Sequence, residues 1–137
     1  MRQDRLGGFA VAARVVLFVD YQNVYKGARE AFHSQLDPAW AGQFDPLKLG
    51  ELITSRGTGD RELQEVRLYR GRPDSHKDPK TYGANLRQSE AQIRNGGGKV
   101  AVIARTLRYP LDWPLSRAQE KGVDVALAID FVQMAAL

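Results

Sequence analysis

Apolar residues run without a polar break from Val15 to Val19 and stop at Asp20. A continuous β-branched run, rather than an alternating one, predicts a strand buried on both faces of a parallel sheet. The spacing after it changes to that of a helix. From about Asn23 to Phe32, Val24, Ala28 and Ala31 share one side, and "LDPAWAGQ" then breaks the pattern. In "FDPLKLGELITSRG", Asp45 is placed as an N-cap with Pro46 at the first helical position. Leu49, Leu52 and Ile53 follow at helical spacing, and Gly57 closes the segment. "EVRLYRG" alternates Val66 and Leu68 with Arg67 and Tyr69, which predicts a second strand. After the polar loop "RPDSHKDPK", Thr81 to Arg94 forms an amphipathic segment with Tyr82, Leu86, Ala91 and Ile93 as its inner side. "NGGG" ends that helix, "KVAVIARTL" is a third strand, and "RYPLDWPLSRAQ" is a loop. A last helix starts at or just before Asp124.

Strands alternating with helices imply right-handed crossovers and a parallel sheet covered on both faces, with sites at the carboxyl ends of its strands. Asp20 lies at such an end, and Val15–Val19 is expected to be the central strand. Neither an internal repeat nor a linker divides the chain, so residues 14–137 form one α/β domain behind a flexible lead-in, 1–13. The chain stops in the apolar "FVQMAAL" with only two strands available to flank the first. An open apolar edge is a pairing hazard. The expectation is a domain shortened at its C-terminus, its edge covered by a second copy or a partner protein.

Charge adds a hint. Twenty Lys and Arg against sixteen Asp and Glu leave a net charge of +4, which suits a polyanion such as RNA. Cysteine is absent and histidine is limited to His33 and His76, so thiolate zinc sites, cysteine nucleophiles and histidine-rich metal sites are excluded. Any metal would be held by oxygen, which points to Mg²⁺ or Mn²⁺. At the N-terminus, Asp4 and Arg14 interrupt the apolar stretch and leave no signal-peptide core. No run approaches the roughly 18 to 20 apolar residues of a membrane span, so the expected location is cytoplasmic.

The candidate chemistry rests on Asp20 with Asn23, and on Asp124 and Asp130. Carboxylates converging on a divalent ion can activate water and neutralise charge building on a phosphodiester. On one helix Asp124 and Asp130 are separated by roughly 9 Å along the axis and about 120° around it, so one ion does not take both. Asp124, near the helix start, is preferred as a metal ligand with Asp20; Asp130 is an orienting residue or a solvated one. Asp20 and Asn23 have a purely structural alternative as helix caps. Arg70, Arg72, Lys77, Lys80, Arg105 and Arg108 form either a phosphate-binding rim or ordinary solvated surface, and Lys121 is a helix-entry residue or a phosphate ligand. "NGGG" follows a helix and lacks a Gly-Lys-Ser/Thr ending, so it is no phosphate loop.

"LFVDYQNVYKGAR", followed much later by "EKGVDVALAIDFVQMA", resembles the NYN domain, the PIN-like nuclease group that includes LabA-type proteins. The resemblance covers roughly Val15 to Leu137. It implies a PIN-like three-layer α/β/α fold with a central parallel sheet and metal-dependent endoribonuclease activity. Matched by motif, it makes Asp20, Asn23, Asp124 and Asp130 catalytic, with Asp20 and Asp124 on Mg²⁺ or Mn²⁺. Arg70, Arg72 and Lys121 would bind RNA, with Arg70, Gly71 and Lys121 the looser matches. Family members continue with a strand and a "SGDSDF"-like acidic segment that this chain lacks. The alternatives are a non-catalytic RNA-binding or regulatory module and, less well matched, a phosphatase with Asp20 as nucleophile, whose expected second acid is here Gln22.

Overall fold

The computed structural model describes residues 12–34 and 36–136; the expected lead-in up to residue 11 lies outside them. In chain order the elements are β1 (Ala13–Asp20), α1 (Tyr21–Phe32), a short 3-10 turn (Ala39–Gly42), α2 (Pro46–Ser55), β2 (Arg61–Arg72), α3 (Pro79–Arg94), β3 (Val100–Thr106) and α4 (Val123–Ala135). Three helices begin on an aspartate that accepts a main-chain hydrogen bond in their first turn. Asp20 takes Asn23 N at 3.3 Å, Asp45 takes Lys48 N at 3.1 Å and Asp78 takes Thr81 N at 3.4 Å. Prolines follow the last two caps, as the orphan N–H groups of a first turn allow.

The strands form one parallel sheet in the order β1-β2-β3, so the architecture is the expected PIN-like three-layer α/β/α one. The expected centre is not the observed one. β2 lies in the middle, and β1, among the described residues, has a strand neighbour on one side only. Its unbroken apolar run reflects cover on both faces, which periodicity reports, and not a neighbour on both edges, which it does not. Val15, Leu17 and Val19 pack with Leu63, Val66 and Leu68 against Val24 and Tyr25 of α1 and Phe44 and Leu47 beside and on α2. On the opposite face Phe18 stacks on Tyr69 and meets Phe131 of α4 edge to face, with ring centroids 5.3 Å apart in the latter pair.

Helix faces differ from the pattern in two places. On α2, Leu52 and Ile53 are exposed, whereas Pro46, Gly50 and Thr54 are buried. A Cβ on Gly50 would lie 2.6 Å from Val66 Cγ2, so the glycine is what lets α2 lie directly on β2. On α3, the expected inner residue Ile93 is 47% exposed while Ser89 is 2% exposed. Its inner face is polar. Asn85, Gln88, Ser89 and Gln92 fall at i, i+3, i+4 and i+7, the repeat of one helical face. Arg72 donates through Nε to Asn85 Oδ1 at 2.9 Å and through Nη2 to Ser89 Oγ at 2.8 Å. Arg70 donates to Gln88 Oε1 at 2.7 Å and Gln92 Oε1 at 3.2 Å.

The other face of β2 uses the same device. Arg67 Nη2 and Tyr69 Oη both donate to Asp130 Oδ2, at 3.2 and 2.8 Å, which ties α4 to the strand. Around this tie Val125, Ile129 and Val132 of α4 remain at least half exposed. No helix among the described residues is long and apolar enough to cross a membrane.

Restoring an apolar inner face to α3 is therefore expected to harm the fold. Ser89→Leu leaves part of the Arg72 guanidinium without an acceptor, and urea unfolding should show a loss of about 2 kcal/mol. Unchanged or increased stability would show that the polar face is incidental to docking.

Candidate functional site

Asp20 ends β1 opposite Tyr69 of β2, on the sheet face that α4 covers. Besides capping α1 it receives the side-chain amide of Asn23, whose Nδ2 donates to Asp20 Oδ2 at 3.1 Å. The cap and the site are the same structure here: the bonds that start the helix also fix the carboxylate at the sheet's carboxyl end. Asn23 is exposed and faces outward beside it.

A second carboxylate arrives from the loop before α4. Beyond β3, Leu107 N donates to Arg72 O at 2.9 Å and prolongs the ladder past the strand end. Arg108 and Gln119 then exchange both main-chain hydrogen bonds, at 2.8 and 3.0 Å, which pinches the intervening loop shut. That closure sets Glu120 across the end of β2, where Gly71 N donates to its Oε2 at 3.1 Å. With its amide turned to satisfy hydrogen bonding, Gln22 donates to Glu120 Oε1 and Oε2 at 3.0 and 3.3 Å. A Cβ on Gly71 would stand 2.8 Å from Glu120 Cγ and 2.5 Å from Leu107 Cδ2. Only glycine admits this approach.

Glu120 is half-buried, and burial pushes its carboxyl above the ordinary glutamate value, with the Asp20 charge pushing the same way. The Gly71 hydrogen bond and the charges of Lys26 and Arg70 oppose that rise. Two carboxylates in one another's field, each held by an amide side chain, are a recurring arrangement for metal or proton chemistry. No motif in the sequence marks Glu120 as a site residue. Its only signal was its place directly before Lys121-Gly122-Val123-Asp124.

The other candidates are dispersed. Asp124, in the first turn of α4, is exposed and accepts from Val125 N at 2.9 Å. Asp130 is tied to Arg67 and Tyr69 as described. Lys121 is exposed, Arg72 is half-buried against α3, and Arg70 is 6% exposed with its guanidinium 4.1 Å above the Tyr21 ring. Among the described residues no three His, Cys, Asp or Glu side chains converge closely enough to hold a metal ion between them. The donor set nevertheless fits a hard divalent cation. Mg²⁺ commonly takes one or two protein carboxylates and completes its shell with water and substrate phosphate, and Asp20 and Glu120 offer oxygen only.

Two depressions meet at Gln22, Gly71 and Glu120. The broader, of about 630 Å³, carries Lys26 and Arg117 on its walls. The smaller, of about 300 Å³, is lined by tyrosine rings and glutamine amides.

The raised Glu120 carboxyl has a measurable consequence for stability. A native pKa above the unfolded one means that the folded chain binds the extra proton, so this group's contribution falls as pH rises from the unfolded value through the native one. Glu120→Gln keeps an oxygen for Gly71 N and removes the charge. It is expected to raise the melting temperature at pH 7.5, with the gain fading toward pH 4. A melting temperature lowered equally at both pH values would count against the electrostatic account.

The sequence model of the NYN domain family matches residues 14–137. No curated protein and no solved structure matches the chain. The match takes in every strand and helix described above, from the second residue of β1 to the end of α4. The family generally comprises nucleases, generally dependent on a divalent metal, which supports an RNA-related nuclease role at the family level. With its parallel sheet, its capped Asp20 and a second carboxylate at the same sheet end, the chain belongs to the NYN domain family.

Proposed function

We propose that the chain is an endoribonuclease that hydrolyses phosphodiester bonds of single-stranded RNA with Mg²⁺ or Mn²⁺. The observation that carries this reading is Glu120, held by Gly71 N and Gln22 at the carboxyl end of the sheet where Asp20 caps α1, beside a groove walled by Lys26 and Arg117. A groove of that size with cations on its walls suits a phosphate backbone. Lys26 and Arg117 hold the strand, and exposed Lys121 extends the same rim. Arg70 and Arg72, bonded to α3, support the floor.

Asp20 and Glu120 are the oxygens that would hold the ion, and Asp124 adds an exposed carboxylate at the start of α4. A divalent cation bound there supplies neutralisation of the charge that builds on the phosphodiester. Asn23 holds the Asp20 carboxylate in one rotamer, and Gln22 and Gly71 hold Glu120. Burial and the nearby Asp20 charge raise the Glu120 carboxyl above its ordinary value, the direction that favours a role in proton transfer. Asp130 acts at a distance, as the residue that ties α4 to β2.

A second reading is an RNA-binding or regulatory module without catalysis. What favours it is that no three acidic or histidine side chains converge among the described residues. The two readings part on cleavage of a labelled single-stranded RNA by the purified chain with Mn²⁺, Mg²⁺ or EDTA. For the nuclease, cutting needs the metal, and Asp20→Asn reduces it by about a thousandfold or more, a multi-kcal/mol loss of transition-state stabilisation. RNA binding in EDTA should survive in that variant. A folded chain that binds RNA and never cuts it would leave only the module.

Asp130→Ala separates packing from chemistry. It should lower stability by about 1 kcal/mol or more, because Arg67 and Tyr69 lose their shared acceptor, while the rate per folded molecule stays within a fewfold of the parent. A rate loss as deep as that of Asp20→Asn, at unchanged stability, would move Asp130 into the reaction itself.

A further inference from the structure

The pocket of about 300 Å³ beside the carboxylate pair is not explained by phosphate binding. It opens between α1, the 3-10 turn and α3, and shares Gln22, Gly71 and Glu120 with the cationic groove. Its walls carry amides and aromatic rings. Tyr21 and Tyr25 stand with ring centroids 6.1 Å apart at an interplanar angle of 16°, and Gln22, Gln43 and Gln88 supply carboxamide groups.

Each wall is built with some rigidity. Tyr21 is 7% exposed, wedged between Phe44 and the Arg70 guanidinium, and the Tyr25 hydroxyl donates to Ala39 O across the pocket's rim. Gln88 is held by Arg70 Nη2. Two groups are left over. Arg70, buried to 6% exposure and lining the pocket, has an Nε with no hydrogen-bond partner. Gln43, exposed at the mouth, makes no side-chain hydrogen bond among the described residues.

We propose that this pocket receives one unpaired nucleobase of the RNA strand whose backbone lies in the adjoining groove. The inference rests on the RNA reading given above and adds to it a base subsite. A base lying along the partly exposed Tyr25 gains apolar contact there, while the Gln43 carboxamide matches a donor and acceptor pair on a base edge. A phosphate fits poorly, because Glu120 is at the pocket's side and the one cation in it, Arg70, is already engaged by two glutamines. The shared residues set the order of contacts: the base enters between α1 and α3, and the backbone attached to it passes Gln22 and Glu120.

The test is a binding scan in EDTA, where nothing is cut, with a short fluorescein-labelled single-stranded RNA and copies that lack the base at one position at a time. With the wild-type chain, loss of the base at one position should weaken binding roughly tenfold, the scale of a single base on an aromatic wall, and neighbouring losses much less. In Gln43→Ala that penalty should shrink severalfold while the salt dependence stays as in the parent. A flat scan with intact, salt-sensitive binding overturns the base subsite and leaves the RNA reading standing. A penalty that Gln43→Ala leaves unchanged places the base elsewhere and overturns it too. No binding of any of these RNAs by a folded chain overturns the RNA reading itself, and the subsite with it.

Discussion

A central strand that carries arginines on both faces must find acceptors for them, and much of this fold follows from how β2 does so. Arg67 points toward α4 and is met by Asp130; Arg70 and Arg72 point the other way and are met by four polar residues on one face of α3. A buried guanidinium left unpaired costs several kcal/mol, so the helices are positioned by these hydrogen bonds as well as by apolar contact. The apolar contact is concentrated elsewhere, where Val66 and Leu68 are fully buried beneath α1 and α2. Packing holds one half of the sheet's first face and charged hydrogen bonds hold the other.

The functional end of the molecule grows out of the same strand. Beyond Tyr69, β2 continues as Arg70-Gly71-Arg72, and the glycine between the two arginines is where the backbone comes close enough to donate to Glu120. The arginines dock α3 while the glycine seats the carboxylate, so the floor of the site and the cover of the sheet are set by adjacent residues. Glu120 is then held half-buried, with Asp20's charge nearby, at a cost in folding free energy, which stability alone gives no reason to keep. Sites commonly retain such unfavourable charge, and this one is restrained by Gln22, Gly71 and Asn23.

The helices differ in what they contribute to that end of the sheet. Through its cap α1 fixes Asp20, and through Tyr21 and Gln22 in its first turn it walls the small pocket and holds Glu120. Helix α3 supplies Gln88 and the support beneath Arg70. From Gly122, whose φ of +80° turns the chain, α4 descends the far face and is anchored two turns on at Asp130. Its first turn carries Asp124, where a negative charge also suits the helix dipole.

The sequence by itself determined the succession of elements, the capped start of α2 at Asp45, the start of α4 just before Asp124, the parallel sheet, and the place of Asp20 and Asn23 at a strand end, because caps, prolines and apolar periodicity act over a few residues. The family, too, was legible in "VDYQN" and "EKGVDVALAID". Tertiary structure alone decided which strand is central, since cover on both faces leaves the same apolar trace whether a strand has one neighbour or two. It decided the inner face of α3, because a polar stripe looks solvent-facing until the arginines opposite it are known. It also decided that Glu120, which no local pattern marks, lies within Asp20's field. Forty-nine residues separate Glu120 from Gly71, and no local pattern reports a hydrogen bond across that distance.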